Sequence, residues 1–414
     1  MTGMLTTGTR TRGIRAVAVA ATAMMALAAC GSGSSAGTTS GTGATKAAQG
    51  FTPPKLSALS KLGAPEKQLN IVAWAGYAED GSTDPTVDWV TPFEKETGCQ
   101  VNVKTAPTSD DMVNLMKTGQ YDVVSASGDA SLRLIAGGTV EPINTDLVPN
   151  YADVFDGLKM KPWNSVGGVA YGIPHGRGAN LLMYNTDVVK PAPTSWSAVF
   201  DKASAYKGKV TAYDSPIYIA DAALYLMKTK PALGIKNPYA LDDKQFAAAV
   251  DLLKAQNANI GEYWSDYTKE ISAFKSGNSV IGTSWQIIAN LAQADKAKVA
   301  VVLPSEGATG WSDTWMVATK SQHKTCAYKW MDHIISPKVN AQVAEWFGEA
   351  PANSKSCAET ADKSFCATFH AADETFFDQI WYWNTPIAQC LDGRKNVTCK
   401  DYGSWTTAWQ GIKG

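Results

Sequence analysis

The sequence predicts an α/β protein, because short apolar runs alternate along the chain with segments of helical periodicity. Residues 69–74 (LNIVAW) have the continuous apolar character of a buried strand, and residues 99–104 (CQVNVK) alternate as a second strand. Helical periodicity is clear in residues 243–253 and 326–335. The 414 residues, of which 45% are apolar and 18% charged, are enough for two or three domains with sizeable cores.

Other elements continue this alternation in chain order. Residues 92–97 lie in a predicted helix that ends before Gly98. Residues 121–125 (YDVVS) form a third predicted strand, and an apolar helix follows it over residues 130–136. The remaining extended segments are residues 169–185, with glycine and proline punctuation, and residues 210–213, 279–282 and 299–303.

The composition limits the classes of partner. Lys plus Arg total 37 and Asp plus Glu total 38, and this balance argues against nucleic acid, whose binding proteins usually carry a basic excess. Beyond the N-terminus, no uncharged apolar run reaches the ~18 residues that a membrane-spanning helix needs. The body of the chain is therefore expected neither to bind nucleic acid nor to cross a membrane.

Residues 1–29 read as an export signal. Three arginines precede an uncharged apolar stretch, residues 16–29, and a Leu-Ala-Ala-Cys sequence ending at Cys30 resembles the bacterial lipobox, in which the cysteine is diacylated. An ordinary secretory signal with a chance cysteine is the alternative. We predict a lipidated Cys30 and a flexible linker over residues 30–66, whose Gly, Ser, Thr and Ala-rich part, 31–50, would tether an extracytoplasmic domain to the cell membrane.

The other six cysteines fit an oxidising compartment, where six residues allow 15 pairings. Two pairs are close in sequence, and the third follows by elimination. The chain contains no Cys-x-x-Cys motif, and its four histidines are scattered, so the sequence offers no ligand set for a metal site. We therefore predict no metal and three structural disulfides: Cys357–Cys366, Cys390–Cys399 and Cys99–Cys326.

Aromatic and acidic side chains follow several predicted strands. In open α/β sheets, ligands bind beyond the carboxyl ends of the strands. Ring faces attract an organic ammonium by ~2 kcal/mol or more when desolvated, and a carboxylate neutralises its charge. Core packing is the alternative for any single tryptophan. The segments that predict an aromatic box for a cation are residues 74–77 (WAGY), 127–129 (SGD), 214–215, 264–266 (WSD), 285 and 311–313 (WSD).

The sequence contains no recognisable set of catalytic residues. Ser272-Ala-Phe-Lys275 and Lys117-Thr-Gly119 match two fragments of the serine β-lactamase signature, but in reversed order. The chain has no G-x-S-x-G, H-E-x-x-H, P-loop or dinucleotide fingerprint. We therefore predict that the protein is not an enzyme and uses no cofactor, with a secreted serine acyl-enzyme as the less favoured alternative.

At these loops the sequence resembles the periplasmic spermidine/putrescine-binding proteins, the solute receptors of polyamine ABC importers. The resemblance covers residues 69–353 and rests on the order of several short motifs: residues 72–77 (VAWAGY), 93–98 (FEKETG), 121–124 (YDVV), 172–174 (GIP), 195–196 (SW), 311–313 (WSD) and 350–353 (APAN).

The resemblance implies a two-lobed periplasmic-binding-protein (type II) fold with crossing hinge strands, in which the solute is trapped between the lobes. Residues 67–176 with 306–350 would form lobe 1, and residues 177–305 with 351–414 would form lobe 2. Carried over by position, the binding residues would be the box aromatics Trp74, Tyr77, Trp285 and Trp311, the amine-binding carboxylate Asp313, and the polar contacts Ser127 and Ser265.

Several acids of the family's spermidine binder are missing at Gly76, Ser215 and Tyr218. Three acids are candidates to supply the lost charge. Asp214 precedes one of the missing positions, whereas the other two stand where the family usually has tyrosine: Asp129 and Glu349.

Arg177 occupies a position where the family typically has an aromatic residue. A cleft-facing arginine would repel a polyamine and pair with a carboxylate, which favours a zwitterion such as γ-aminobutyrate, with Asp313 on the amine. A surface charge on a hinge strand, or an ion pair with an acid of the other lobe, is the alternative.

The sequence thus predicts a monomeric, lipid-anchored solute-binding protein, in the periplasmic space or on the outer face of the plasma membrane. It would deliver a small amine, foremost a polyamine such as putrescine or spermidine, to the membrane permease of an ABC importer. The cysteine-rich tail after residue 357 extends beyond the resemblance. Its aromatic segment, residues 376–386 (FFDQIWYWNTP), is expected to pack against a lobe, with ligand contact as the alternative.

Overall fold

A computed structural model describes residues 51–414 of the chain. The predicted signal, the lipidated Cys30 and the linker up to residue 50 lie outside the described residues. In the part of the chain that is described, no helix is both long enough and apolar enough to span a membrane.

The strands of residues 51–414 are β1 (Gln68–Ala73), β2 (Gln100–Thr105), β3 (Val123–Ala126), β4 (Ser165–Val166), β5 (Val169–Ala170), β6 (Ile173–Pro174), β7 (Gly176–Ala179), β8 (Leu181–Asn185), β9 (Val210–Tyr213), β10 (Ile260–Trp264), β11 (Ile281–Ser284), β12 (Val299–Val302), β13 (Ala308–Trp311), β14 (Thr314–Val317), β15 (Ala350–Pro351) and β16 (Ile380–Tyr382). The α-helices of the same residues are α1 (Val90–Thr97), α2 (Ser109–Lys117), α3 (Gly128–Ala136), α4 (Ile219–Thr229), α5 (Asp243–Asn257), α6 (Tyr267–Ser276), α7 (Gln286–Ala294), α8 (Lys324–Ile334), α9 (Pro337–Phe347), α10 (Ser356–Glu359), α11 (Phe365–Thr368), α12 (Glu374–Phe377) and α13 (Tyr402–Lys413).

The first lobe is built on a five-stranded sheet of order β2-β1-β3-β14-β6. Strands β1, β2 and β3 are parallel, with Ile71 opposite Val103 and Val123, and β14 runs antiparallel to β3. The central strands β1 and β3 are largely buried, as expected of strands covered on both faces, whereas β2 at the sheet edge is mostly exposed. Phe93 of α1 and Trp330 of α8 pack edge to face in the core of this lobe.

The second lobe is built on a sheet of order β10-β9-β11-β8-β12. Strand β9 pairs in parallel with β10 and β11, and β8 runs antiparallel to β11 and β12. Helices α4 and α5 pack together beside this sheet, with Leu226 and Leu253 buried between them and the strands.

A third sheet, of order β15-β7-β13-β16, connects the two lobes. The chain passes from β6 in the first sheet through β7 to β8 in the second sheet, and it returns from β12 through β13 to β14. The lobes are therefore joined by crossing strands, which confirms the predicted two-lobed α/β fold with crossing hinge strands. Strand β16, which the sequence did not predict, adds the tail to this sheet in parallel with β13.

The tail packs mainly on the second lobe. Helix α13 lies against α5, and its Trp405 and Trp409 are buried in the core of that lobe. The three predicted disulfides are all formed. Cys357–Cys366 and Cys390–Cys399 lie in the tail, and Cys99–Cys326 lies in the first lobe.

Residues 51–66, the second half of the predicted linker, are packed against the first lobe. The Glu66 carboxylate accepts hydrogen bonds from the backbone N–H groups of Thr325 and Cys326, both at 2.9 Å. The Gly63 N–H donates to Thr325 Oγ1 at 3.1 Å. This part of the chain is therefore a structured edge of the lobe and not a flexible linker.

Candidate functional site

Four buried side chains, which we call the acid cluster, meet where the first lobe joins the crossing strands: Tyr77 after β1, Ser127 before α3, Asp313 between β13 and β14, and Glu349 before β15. Tyr77 Oη donates to Asp313 Oδ2 at 2.8 Å and lies 3.0 Å from Glu349 Oε2. Ser127 Oγ donates to Asp313 Oδ1 at 2.5 Å. The cluster therefore contains two carboxyl groups bridged by one phenol.

The single phenolic proton cannot serve two carboxylates at once. Burial, and then the charge of Asp313, raise the pKa of Glu349 well above its usual value. Burial raises the pKa of Asp313 to about 6, against the opposing hydrogen bonds from Ser127 and Tyr77. Burial and the neighbouring charge thus favour the protonated form of Glu349, while the Tyr77 hydroxyl donates to Asp313.

His175 lies beside the acid cluster without supplying a positive charge. Its Nδ1 accepts a hydrogen bond from Trp315 Nε1 at 3.0 Å, which assigns the ring proton to Nε2, 3.3 Å from Glu349 Oε1. Burial lowers the pKa of His175 to about 3, so the ring is neutral at pH 7. Glu349 and His175 are therefore not an ion pair at that pH.

A glycine on the hinge strand lets the cluster assemble. Gly176 of β7 pairs with Pro351 of β15, and β15 begins directly after Glu349 in the chain. A Cβ at Gly176 would lie 2.2 Å from Glu349 Cδ, far inside van der Waals contact. The close approach of the strand to the carboxyl group thus requires glycine at this position.

Asp129 adds a third buried carboxyl group, in the first turn of α3. Ser109 Oγ donates to its Oδ1 at 2.9 Å, and burial raises the pKa of Asp129 to about 6. The nearby Arg133 forms its ion pair with Asp110, at 2.6 Å. Within residues 51–414, no lysine or arginine forms an ion pair with Asp129 or with the acid cluster.

Aromatic rings form a continuous wall beside these acids. Trp74, half-buried, lies close enough to Asp313 for its indole N–H to lower the pKa of that carboxyl group, against the larger effect of burial. The charges of Asp129, Asp313 and Asp214 raise the pKa of Tyr213 further than burial alone. The wall runs through ring contacts of 4.4–5.9 Å: Tyr77–Phe347, Phe347–Trp311, Trp311–Trp285, Trp285–Trp264 and Trp285–Tyr213.

Three of the predicted site residues are placed elsewhere. Ser265 is exposed after β10. Asp214 accepts from Trp409 Nε1 at 3.1 Å and pairs with Lys413 Nζ at 2.6 Å, so its charge is already neutralised. Arg177 is buried on β7, where its guanidinium pairs with Glu374 at 2.6 Å and lies over the Phe377 ring at 3.6 Å. The prediction that left Arg177 free for a ligand is therefore wrong in this structure. Arg177 is ion-paired, but Glu374 belongs to the same predicted lobe and not to the other lobe, as the alternative expected.

The residues of the β-lactamase-like fragment do not form a nucleophilic site. Ser272 and Lys275 lie on the exposed side of α6. Ser272 Oγ donates to the Thr268 carbonyl at 2.8 Å, as serines commonly do within a helix, and Lys275 pairs with Asp295 at 2.9 Å. The described residues contain no group of three or more His, Cys, Asp or Glu side chains that could hold a metal.

One further aromatic residue lies in the tail segment 376–386, for which the sequence analysis expected packing against a lobe and gave ligand contact as the alternative. Trp383 of the tail stacks on Tyr213, with ring centroids 5.5 Å apart and planes 17° apart. The density of aromatic residues in 376–386 is the sequence signal that drew attention to this segment. A hydrophobic segment of this kind normally packs in a core, so its place between the lobes depends on the pairing of β16 with β13.

Two lobes with a buried, unpaired acidic site at their junction define a receptor for a small solute. The chain belongs to the family of bacterial extracellular solute-binding proteins, which residues 88–369 match. Its relatives include the spermidine/putrescine-binding periplasmic protein of Escherichia coli K12, with 27% identity over 286 residues that cover 66% of this chain and 78% of the relative. The resemblance stated from the motifs is thereby confirmed.

Solved structures show the same fold. A putative spermidine/putrescine ABC transporter protein from Listeria monocytogenes is similar with a TM-score of 0.68 and 18% identity, over 84% of this chain and 99% of that one. The structure titled Atu4243-GABA receptor has a TM-score of 0.62 and 18% identity, over 84% and 98% of the two chains. The relatives are binding proteins, and the chain is accordingly a solute-binding protein of the type that serves ABC importers.

Proposed function

We propose that this protein is the receptor of an ABC importer for a small amine, foremost a polyamine such as putrescine or spermidine. One observation carries the proposal: three buried carboxyl groups of the described residues, Asp313, Glu349 and Asp129, share one site and form no ion pair with lysine or arginine. Buried charges are normally paired, and these acids lack a cation that the ligand would supply. The names of the curated relatives support an amine as that ligand.

The acid cluster and the aromatic wall supply complementary parts of the binding energy. An ammonium group beside Asp313 takes charge-assisted hydrogen bonds from its carboxylate, while Tyr77 and Ser127 hold that carboxylate in place. The methylene chain and the charge lie against the faces of Trp74 and Trp311. A dication has the further advantage that its second charge compensates Asp129.

Ligand binding and lobe closure are coupled in this proposal. Groups of the site come from the first lobe, from the crossing strands and from the second lobe: Ser127, Asp313 and Trp285. A ligand that contacts all three stabilises the closed form over the open form. The closed, loaded protein would then be presented to the membrane permease. Lipid anchoring through Cys30 would keep a monomeric receptor at the membrane surface.

A calorimetric titration of the purified full-length protein with putrescine and spermidine tests the proposal. We expect micromolar or tighter binding of at least one of them, and a loss of 100-fold or more in Asp313→Asn, because truncating one partner of a buried charge pair costs about 3 kcal/mol. Asp214→Asn is the matched control, since Asp214 is paired with Lys413. The proposal would be contradicted if neither amine binds, or if Asp313→Asn binds the amine with full affinity.

A zwitterion such as γ-aminobutyrate is the alternative ligand, and the likeness to the Atu4243 receptor concerns the fold alone. Two hydrogen bonds to Glu374 and one to the Ala371 carbonyl occupy the guanidinium of Arg177. We therefore expect γ-aminobutyrate to bind more weakly than putrescine in the same titration. Tighter binding of γ-aminobutyrate that is lost in Arg177→Lys would establish the alternative.

A further inference from the structure

Four side chains, which we call the hinge network, lead from a helix of the second lobe across the crossing strands to the aromatic wall: Asp221 of α4, Thr309 of β13, Asn180 between β7 and β8, and Trp285 before α7. Thr309 Oγ1 donates to Asp221 Oδ1 at 2.9 Å. Asn180 Nδ2 donates to Thr309 Oγ1 at 2.7 Å, and Trp285 Nε1 donates to Asn180 Oδ1 at 2.8 Å. Each step is a hydrogen bond of ordinary length.

The hinge network is shielded from water over most of its length. Asp221, Thr309 and Asn180 are all buried, whereas the Trp285 ring is half-buried. The Asn180 backbone N–H also donates to the Thr309 carbonyl at 2.9 Å, which fixes the two crossing strands against each other at this point. Buried polar groups are normally hydrogen-bonded, and the network gives each of these side chains a partner.

The indole end of the network determines the direction of its hydrogen bonds. An indole N–H can only donate, so Asn180 presents its carbonyl oxygen to Trp285 and its NH₂ group to Thr309. The Thr309 hydroxyl then accepts from Asn180 and gives its own proton to the carboxyl group of Asp221. The Asn180 amide therefore has one orientation, and this orientation provides Trp285 with a fixed acceptor.

Trp285 is the member of the aromatic wall on which this acceptor acts. Its ring makes edge-to-face contacts with Trp264 and Trp311, at 5.1 and 5.8 Å between ring centroids. The neighbouring Trp311 has a buried indole N–H without a hydrogen-bond partner among residues 51–414. Packing alone sets the angle of Trp311, whereas packing and a hydrogen bond together set the angle of Trp285. That angle matters because a cation is attracted to the face of a ring.

We propose that Asn180 is a positioning residue of the amine site, which holds the Trp285 indole at the angle at which its face meets the ligand. Thr309 and Asp221 act one step further away, because they hold the Asn180 amide in its orientation. This proposal rests on the proposed function, since it requires that Trp285 contacts the amine. Asn180 and Thr309 belong to the crossing strands, so the hinge itself orients this part of the wall.

The test is calorimetry of the full-length protein with putrescine and spermidine. Asn180→Leu keeps a similar volume and removes both side-chain hydrogen bonds, and we expect it to weaken the bound amine about tenfold. Thr309→Val should weaken it about fivefold, whereas Thr309→Ser keeps the hydroxyl and should stay within about twofold. Gln256→Met is the matched control and should also stay within about twofold. Gln256 is another buried amide of the second lobe, and it donates to the Val199 carbonyl and to Tyr218 Oη.

A double-mutant cycle separates positioning from a general loss of structure. Trp285→Phe keeps a ring but has no N–H, so Asn180 has nothing to hold in this variant. We expect Trp285→Phe to weaken the amine about tenfold, and Asn180→Leu to add less than about twofold to that loss. An equal loss from Asn180→Leu in both backgrounds would overturn the role of Asn180, because its effect would then be independent of Trp285.

The outcomes separate the two proposals. Binding of neither amine by the unmodified protein overturns both. Unchanged affinity in Asn180→Leu or in Trp285→Phe overturns only the role of Asn180 and leaves the amine receptor intact. Should Asn180→Leu fail to fold, the two Thr309 variants decide: equal affinity in Thr309→Val and Thr309→Ser overturns the role of Asn180, and weaker binding by Thr309→Val supports it.

Discussion

Buried carboxyl groups have two different settings in this protein. In the first lobe, Glu141 is 3% exposed and accepts a hydrogen bond from Lys324 Nζ at 2.6 Å. At the crossing strands, Asp313 is equally buried, but its partners are the hydroxyl groups of Tyr77 and Ser127. Both groups have lost their hydration, and only Glu141 has recovered the cost through an opposite charge.

The difference shows which acid is available for a ligand. Glu141 belongs to the architecture of its lobe, because its charge is satisfied inside the protein. The charge of Asp313 is oriented by neutral donors and left uncompensated, so its burial costs stability that a bound cation can restore. The same reasoning separates Asp129 from Asp214, whose carboxylate is paired with Lys413.

The largest expected effect is a pH dependence of the unpaired acids. The pKa values of Asp313 and Asp129 in the folded protein are about 6, above the usual value of about 4 in an unfolded chain. Each raised pKa contributes stability that is complete below pH 4 and is lost as the pH rises through 6, up to about 3 kcal/mol per group. Urea unfolding of the ligand-free protein between pH 3.5 and 7.5 should show this decrease.

Amine affinity should change with pH in the opposite direction, because the cation needs the ionised carboxylate. Calorimetry should therefore show affinity rising from pH 5 to 7 and then levelling. Affinity that is constant over this range would mean that Asp313 and Asp129 do not face the ligand.

The second effect concerns Asp313→Asn in the ligand-free protein. Removing an uncompensated buried charge should raise the free energy of unfolding at pH 7.5 by up to about 3 kcal/mol, while Asn can still exchange hydrogen bonds with both hydroxyls. A stability gain together with lost amine binding would identify a functional charge. A loss of stability in urea unfolding would show instead that Asp313 is structural.

The paired acid should respond in the opposite way. Lys324→Met leaves Glu141 buried without its partner and should lower the free energy of unfolding at pH 7.5 by about 2 kcal/mol, less than for a fully buried pair because Lys324 is partly exposed. Adding Glu141→Gln to the same variant should restore most of the loss. Amine affinity is the control measurement and should stay within twofold in both variants.

The smallest effect is expected at Asp214. Its ion pair with Lys413 lies at the protein surface, so Asp214→Asn should change the free energy of unfolding by less than about 1 kcal/mol. Its effect on amine affinity should be within twofold. A tenfold loss of amine affinity in Asp214→Asn would show instead that Asp214 takes part in ligand binding.

Much of the framework could be predicted because it depends on local pattern. The continuous apolar run at residues 69–74 corresponds to β1, and residues 210–213 are β9, since central strands of a covered sheet need apolar residues on both faces. The strand predicted at residues 279–282 begins two residues later, at Ile281. Strand β16 escaped prediction because three residues joined to a sheet edge carry no periodic pattern.

Site residues could be predicted only as far as the loops that carry them. Trp74, Tyr77 and Ser127 follow strands whose carboxyl ends meet at one edge, so their convergence is a consequence of topology. The pairing of Arg177 with Glu374 joins residues 197 positions apart. No local pattern indicates such a contact, and an unpaired arginine was therefore a reasonable but wrong expectation.

The sequence by itself determined the α/β alternation, the cysteine pairs of the tail and the acidic, aromatic loops of a solute receptor, because these follow from periodicity, spacing and side-chain chemistry. Only the tertiary structure decided which charges remain unpaired. Burial and pairing are set by residues that are distant in the chain, and these two quantities distinguish Asp313 from Asp214. They also place Trp383 between the lobes.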